Sequence, residues 1–283
     1  MIIDIHTHTF PDKIAARAVE HLSRTAHIHP FTGATNAELS RSMAGAGISR
    51  SVVLPVATSE AQVIKLNDAA ARVNETTEET GILSFGCMHP DFEGYHDELA
   101  RIRELGLKGI KLHPVYQGAD LDDIRFLRII DRAAQLGLIV ITHAGLDVGF
   151  PGVVRCSPQM CRHAVDEIGS FPFILAHMGG WNNWDEVPYY LADTDVFLDT
   201  SFSGGRMTPL PDGYWKEEDL QMLRPEPFTE LIRAFGAERI LFGTDSPWSD
   251  QAETLAYIRS LPLTEEEQGK ILGGNAERLL RLN

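Results

Sequence analysis

Cysteine is scarce in this chain. The three present, Cys87, Cys156 and Cys161, form no disulfide framework, and their spacing matches no zinc ribbon. That predicts a reducing compartment, the cytoplasm. Basic charge is also short. Lys and Arg number 25 against 40 Asp and Glu, a formal net charge of −15. Nucleic acid and anionic membrane both need clustered basic surface, so neither is expected as a partner. Long apolar runs are missing as well: the most apolar stretch, 136–141, falls far short of the roughly 20 residues that span a bilayer. Met1 leads straight into Ile2-Ile3-Asp4-Ile5-His6, with no basic region and no cleavage site, so no targeting segment is expected. Finally, no G-x-G-x-x-G follows any apolar run, which removes support for an open dinucleotide-binding sheet.

What is present points to a large folded core. Hydrophobic residues make up 43% and charged residues 23%, which excludes the disordered class. A length of 283 residues allows two ordinary domains or one α/β barrel of about 250 residues. No internal linker is visible, so a single barrel domain over 1–283 is expected.

Short runs, apolar on both faces, recur along the chain at 2–6, 51–56, 82–87, 109–113, 138–143, 173–177, 196–200 and 240–244. They read as buried parallel strands. Helical patterns lie between them at 34–46, 61–80, 94–105, 121–136, 158–168 and 227–235, each ending at a glycine. Glycine just past the last apolar-periodic residue is a helix stop. Two more helices, 252–260 and 276–281, follow the last strand. The repeating unit predicts an α/β fold, a (β/α)8 TIM barrel. Irregular stretches occupy 27–33, 144–157 and 201–225. The last two follow strands directly, at the end of a barrel where active-site loops gather.

Polar residues punctuate those strand ends. His6, His8, His89, His113, His143 and His177 lie at or just past the end of a strand, and Asp245 does the same on the last one. His6 and His8 are two apart, so their rings point to one side and can grip one metal ion. The bland alternative is a chance pair. His143 ends a run of four apolar residues, which suits ligation better than a core histidine bonded to a carbonyl. His177 is alike and precedes Gly179-Gly180, which would let a substrate approach the backbone closely. Asp245 at the end of an apolar strand should be paired or metal-bound, or serve as a helix N-cap before Pro247. His89 and His113 each precede a proline where strand turns into loop.

With these residues in order, the chain resembles the amidohydrolase superfamily, in the amidohydrolase-related (amidohydrolase 2) branch that contains aminocarboxymuconate-semialdehyde decarboxylase and related hydrolases. The matching pieces are Asp4-Ile5-His6-Thr7-His8, Gly109-Ile110-Lys111-Leu112-His113-Pro114, Thr142-His143-Ala144-Gly145, Ala176-His177-Met178-Gly179-Gly180, Leu198-Asp199-Thr200-Ser201 and Phe242-Gly243-Thr244-Asp245-Ser246-Pro247-Trp248. The resemblance implies that His6, His8, His143 and Asp245 bind one divalent metal and that His177 contacts water or substrate. It leaves open a binuclear version in which His177 takes a second metal and a carboxylated Lys111 bridges the two. Three imidazoles and one carboxylate suit zinc first, with manganese or iron as alternatives.

The leading expectation is a metal-dependent hydrolase that turns a metal-activated water on a small carboxylated or cyclic amide, ester or lactone. Asp245 would move the proton and His177 would act as acid or hold the oxyanion. The alternative is a metal-dependent non-oxidative decarboxylase or hydratase of the same superfamily. His113, Arg206 and Trp248 are candidate substrate contacts, although Arg206 could equally be a solvated loop residue. Trp181, Trp184, Tyr214 and Trp215 are candidate pocket walls. A non-catalytic barrel would be expected to have lost ligands, and none is missing. The partner expected is a small-molecule substrate, and the acidic surface with the 201–225 loop would permit a homodimer.

Overall fold

The computed structural model describes residues 1–282. All eight apolar runs are strands, one of them in two pieces. They are β1 (Ile3–Thr7), β2 (Arg50–Val53), β3 (Ile82–Ser84), β4 (Gly86–Cys87), β5 (Gly109–Leu112), β6 (Ile139–Thr142), β7 (Phe173–Leu175), β8 (Phe197–Asp199) and β9 (Ile240–Leu241). Every residue of β1, β5 and β6 is buried, as expected of parallel strands covered on both faces. Among the described residues no helix is long and apolar enough to cross a membrane.

The chain forms two compact units. The first comprises Met1–Val53, Val148–Pro151 and the chain from Thr200 onward. In it β1 pairs parallel with β2, Ile3 opposite Arg50 and Asp4 opposite Ser51. On the other side of β1, Ile5 N–H donates to the Phe242 carbonyl at 2.8 Å, which places β9 there. The second unit comprises Leu54–Asp147 and Gly152–Asp199. Its strands run in parallel register from β4 to β8: Cys87 faces Lys111, Leu112 faces Thr142, Thr142 faces Leu175, and Leu175 faces Leu198. Helices alternate with the strands in both units.

The six glycine stops all take positive φ, from 68° at Gly137 to 90° at Gly169. The helix expected over 61–80 is broken: Val63–Asn74 ends before Glu75, and a single turn, Thr77–Thr80, follows. The strand at 82–87 is interrupted at Phe85. Two asparagines stand in for the missing ladder there. Asn74 Oδ1 accepts from Ser84 N at 2.6 Å and Asn67 Oδ1 from Cys87 N at 2.8 Å, so these amides are satisfied without strand partners.

One long helix, Asp12–Ala26, has no counterpart in the sequence reading, and neither do the short Pro114–Gln117, Val187–Leu191 and Glu265–Gly269. The buried face of the long helix is Ala15, Val19, Ser23 and Ala26, too small and too polar to show as an apolar stripe. Its ends carry no usual signal either. Pro11 at the N-cap offers no side-chain cap, and His27, not glycine, takes the left-handed position at φ 56°.

Candidate active site

In the first unit the end of β1 and the turn after β9 bring three donor atoms together. His6 Nε2 lies 3.2 Å from His8 Nε2 and 3.3 Å from Asp245 Oδ1, and His8 Nε2 lies 3.1 Å from the same oxygen. The two rings meet at 72°, so their in-plane lone pairs converge. Nitrogen and oxygen ligands at about 2.0–2.1 Å from a tetrahedral ion stand roughly 3.4 Å apart. The spacing and the donor types therefore fit a divalent metal. The other ring nitrogen of His6, Nδ1, is 3.0 Å from Ser201 Oγ, which fixes the ring's orientation.

The backbone aims these side chains. Asp245 N–H donates to the His6 carbonyl at 2.8 Å, and His8 N–H donates to the Ser246 carbonyl at 2.7 Å. Thr7 points the other way and bonds the Val52 carbonyl at 2.9 Å. Asp245 takes a left-handed φ of 65°, a conformation that costs about 1–3 kcal/mol and persists only where surroundings enforce it.

Beneath the donors lies Asp4, fully buried. Its carboxylate accepts from His6 N, Thr244 N, Thr244 Oγ1 and Gln251 Nε2 at 3.1, 3.0, 2.6 and 2.7 Å. Burial outweighs these four donors and pushes its pKa up to about 7. The sequence reading quoted Asp4 and Ser201 in its motifs but gave neither a role, and it missed Gln251. Their contacts span 195 to 247 positions, and no local pattern reports those.

The second unit holds another group. His113 and His143 stack with ring centroids 4.4 Å apart and 15° between planes. Asp147 Oδ2 lies 3.5 Å from His113 Nε2 and 4.0 Å from His143 Nδ1. His177 Nε2 is 3.0 Å from His143 Nδ1. The donor atoms of His113, His143 and Asp147 are close enough to hold an ion, but ring lone pairs lie in the ring planes, and two stacked, near-parallel planes offer no common point between them. The His143–His177 contact is a hydrogen bond in which one ring donates and the other accepts, so this group is better suited to holding and passing a proton. Asp147 was not anticipated from the sequence.

Strand-end contacts position these rings. Trp181 N–H donates to the Ala144 carbonyl and Leu146 N–H to the Trp181 carbonyl, both at 2.9 Å. His177 N–H donates to buried Asp199 Oδ1 at 3.0 Å, and its carbonyl accepts from Trp184 Nε1 at 2.9 Å. Gln117 Oε1 accepts from His113 N at 2.8 Å. His177, like Asp245, has a left-handed φ, 59°. Lys111 is fully buried on β5, two residues before His113.

Trp248 follows Asp245 in the same turn, its N–H donating to the Asp245 carbonyl at 2.8 Å, so it lies next to the donor group. Arg206 does not join that group. It is exposed, and its guanidinium forms a bidentate pair with Glu217, Nη2 to Oε2 at 2.7 Å. Its partner carboxylate lies eleven residues on in the same loop. His89 Nδ1 accepts from Asp91 N at 3.2 Å.

A family model described as amidohydrolase matches residues 3–282. The chain belongs to the amidohydrolase family. No curated protein matches it in sequence. Solved structures match in fold. An uncharacterized TIM-barrel protein from Bordetella bronchiseptica is 20% identical, with a TM-score of 0.74 over 99% of this chain and 98% of that one. A 5-carboxyvanillate decarboxylase from Sphingomonas paucimobilis is 15% identical, with a TM-score of 0.70 over 100% and 99%. A dihydroxybenzoic acid decarboxylase from Polaromonas sp. JS666, solved with manganese and the inhibitor 2-nitroresorcinol, is 16% identical, with a TM-score of 0.68 over 100% and 97%. This amidohydrolase-family chain therefore has the α/β, (β/α)8 TIM-barrel fold expected from its sequence. The expectation of hydrolysis is corrected by the same comparison, because the structural neighbours with a stated activity are mainly decarboxylases. The donor residues of a metal hydrolase and of a metal decarboxylase are of the same kinds, so the sequence motifs could not separate them.

Proposed function

We propose that this amidohydrolase-family protein is a metal-dependent non-oxidative decarboxylase of a small carboxylic acid, of the hydroxybenzoate class. The observation that carries the reading is the convergent His6–His8–Asp245 donor group, in a chain whose structural neighbours include manganese-bound decarboxylases. Two imidazoles and a carboxylate accept manganese as well as zinc, and the neighbours put manganese first among the metals to try.

A divalent ion would supply fixed positive charge for the substrate carboxylate. The remaining tasks fall to side chains. Loss of CO2 breaks the bond between carbon and carboxylate, leaves the electron pair on that carbon, and consumes one proton there. His177, bonded to His143, is the proposed proton donor, because the pair keeps a proton between two buried rings. His113, stacked on His143 and near Asp147, is the proposed substrate contact. No water needs deprotonating in this reaction, so Asp245 serves as a ligand rather than as a base.

The test is direct. Metal-free protein is loaded with Mn2+ and incubated with 2,6-dihydroxybenzoate, 5-carboxyvanillate and a panel of related hydroxybenzoates, with CO2 and the decarboxylated product both measured. Equal amounts of the two, lost on chelation, are the expected result. Acid formed from an ester or lactone panel, with no CO2 from any hydroxybenzoate, would overturn the reading.

A further inference from the structure

We propose that Asp4 is a positioning residue, whose carboxylate ties the strand carrying His6 and His8 to the turn carrying Asp245 and so sets the spacing of the three donor atoms. The inference rests on the donor-group reading above, not on the reaction assigned to it.

The geometry is specific. One oxygen, Oδ1, accepts from the amide of His6 itself and from that of Thr244, the residue just before Asp245, at 3.1 and 3.0 Å. The other, Oδ2, takes the Thr244 hydroxyl at 2.6 Å and Gln251 Nε2 at 2.7 Å. Thr244 Oγ1 in turn accepts from Ser246 N at 3.2 Å, so the network closes around Asp245 and holds its left-handed backbone. Gln251 opens the helix Gln251–Ser260 and also reaches Ser51 Oγ on β2 at 3.3 Å. A single buried carboxylate thus gathers β1, the turn after β9 and the start of a helix, with β2 joined through the Gln251 amide. None of its four bonds reaches an imidazole or the Asp245 carboxylate. Its influence on the donors therefore passes through main-chain amides.

All four of these partners donate, and the network needs an acceptor-only group to meet them. Asparagine would set an NH2 against Gln251 Nε2. That clash is relieved if the Gln251 amide turns over, because its buried Oε1 has no hydrogen-bond partner now and would accept from the new NH2, and if the Thr244 hydroxyl, which also meets Oδ2, rotates to accept from that NH2 instead of donating. Asp4→Asn should therefore keep the network, whereas Asp4→Ala removes all of it.

Apo wild type, Asp4→Ala and Asp4→Asn are titrated with Mn2+ by calorimetry. The electron paramagnetic resonance spectrum of bound Mn2+ and the melting temperature of each apo form are recorded alongside. Asp4→Ala should weaken metal binding by about 10–100-fold, the range for groups that orient ligands, with an altered spectrum. Asp4→Asn should restore both. If wild type binds Mn2+ and Asp4→Ala binds it equally well with the same spectrum, whatever its melting temperature, Asp4 is only structural and the proposal fails. If wild type binds no metal, the donor-group reading falls and takes this proposal with it. Should Asp4→Ala not fold, Thr244→Val removes at constant shape the two bonds of that hydroxyl, the one it donates to Asp4 Oδ2 and the one it accepts from Ser246 N. A severalfold loss of Mn2+ affinity there supports positioning, and unchanged affinity overturns it.

Discussion

Asp245 meets His6 twice. Its amide donates to the His6 carbonyl at 2.8 Å, and its Oδ1 stands 3.3 Å from the His6 ring nitrogen Nε2. The main-chain bond holds the two strand ends side by side, and the side-chain approach follows from it. A carboxylate and an imidazole brought this close could form a simple ion pair. The third member decides otherwise: His8 Nε2 sits 3.1 Å from that oxygen, and two imidazoles aimed at one carboxylate oxygen and at each other make a poor hydrogen-bonding set but a good ligand set.

Removing either end of this contact should empty the site. The wild-type protein is expected to carry about one divalent ion per chain at this donor group, and His6→Ala and Asp245→Ala are expected to lose it, since each deletes one of few protein ligands. Elemental analysis of the purified variants measures this. Full occupancy in both would rule the group out.

His177 should behave differently. Its ring bonds His143 Nδ1 at 3.0 Å, and its backbone is fixed by Asp199. His177→Asn is expected to leave metal affinity within about tenfold of wild type, the mild end for groups outside the ligand set, because its ring bonds His143 and is not one of the donors His6, His8 and Asp245. Turnover should drop by roughly 10²–10⁴, as when a positioned proton donor is lost. Metal titration beside decarboxylation rate separates the two effects. A joint collapse would make His177 a ligand.

The strands were legible because parallel strands buried on both faces are continuous apolar runs, and the strand-end histidines stood out against them. The helices that glycine closes were equally plain. The helix Asp12–Ala26 escaped because its buried face is two alanines, a valine and a serine. At the site, His6, His8 and Asp245 were readable as residue types at strand ends. Asp4, Ser201, Gln251 and Asp147 were not, because a carboxylate or hydroxyl gains its role from partners that only folding supplies. The Arg206–Glu217 pair was equally hidden, because spacing alone does not say which loop carboxylate an arginine meets.

Gly145 follows His143 and Ala144 where the loop after β6 leaves the strand. It sits at φ 86°, and a Cβ there would lie 2.2 Å from Trp181 N and 2.4 Å from the Gly180 carbonyl carbon. Those are main-chain atoms and cannot swing aside. Gly145→Ala should therefore cost more than left-handed strain alone, which is about 1–2 kcal/mol. Gly152→Ala is the control, since Gly152 is also left-handed, φ 77°, but open. Urea unfolding of both variants tests the difference, and equal losses would refute the steric argument.

Asp123 caps the helix Ile124–Gln135, accepting from Arg125 N at 2.9 Å. The Arg125 guanidinium also grips its carboxylate, Nη2 to Oδ2 at 2.7 Å, and holds its pKa down at about 2 against an ordinary 3.8. A carboxyl whose pKa is lower folded than unfolded favours the folded state when ionised in both. Its contribution is complete above about 3.8 and is lost as pH falls through about 2. Asp123→Asn keeps an oxygen for the cap but not the charge. The melting temperature of wild type should therefore exceed that of the variant by a constant margin at pH 5 and above, and the margin should close between pH 4 and pH 2. Melting curves across that range check it, and a margin that stays constant down to pH 2 would show that the Arg125 contact contributes nothing through charge.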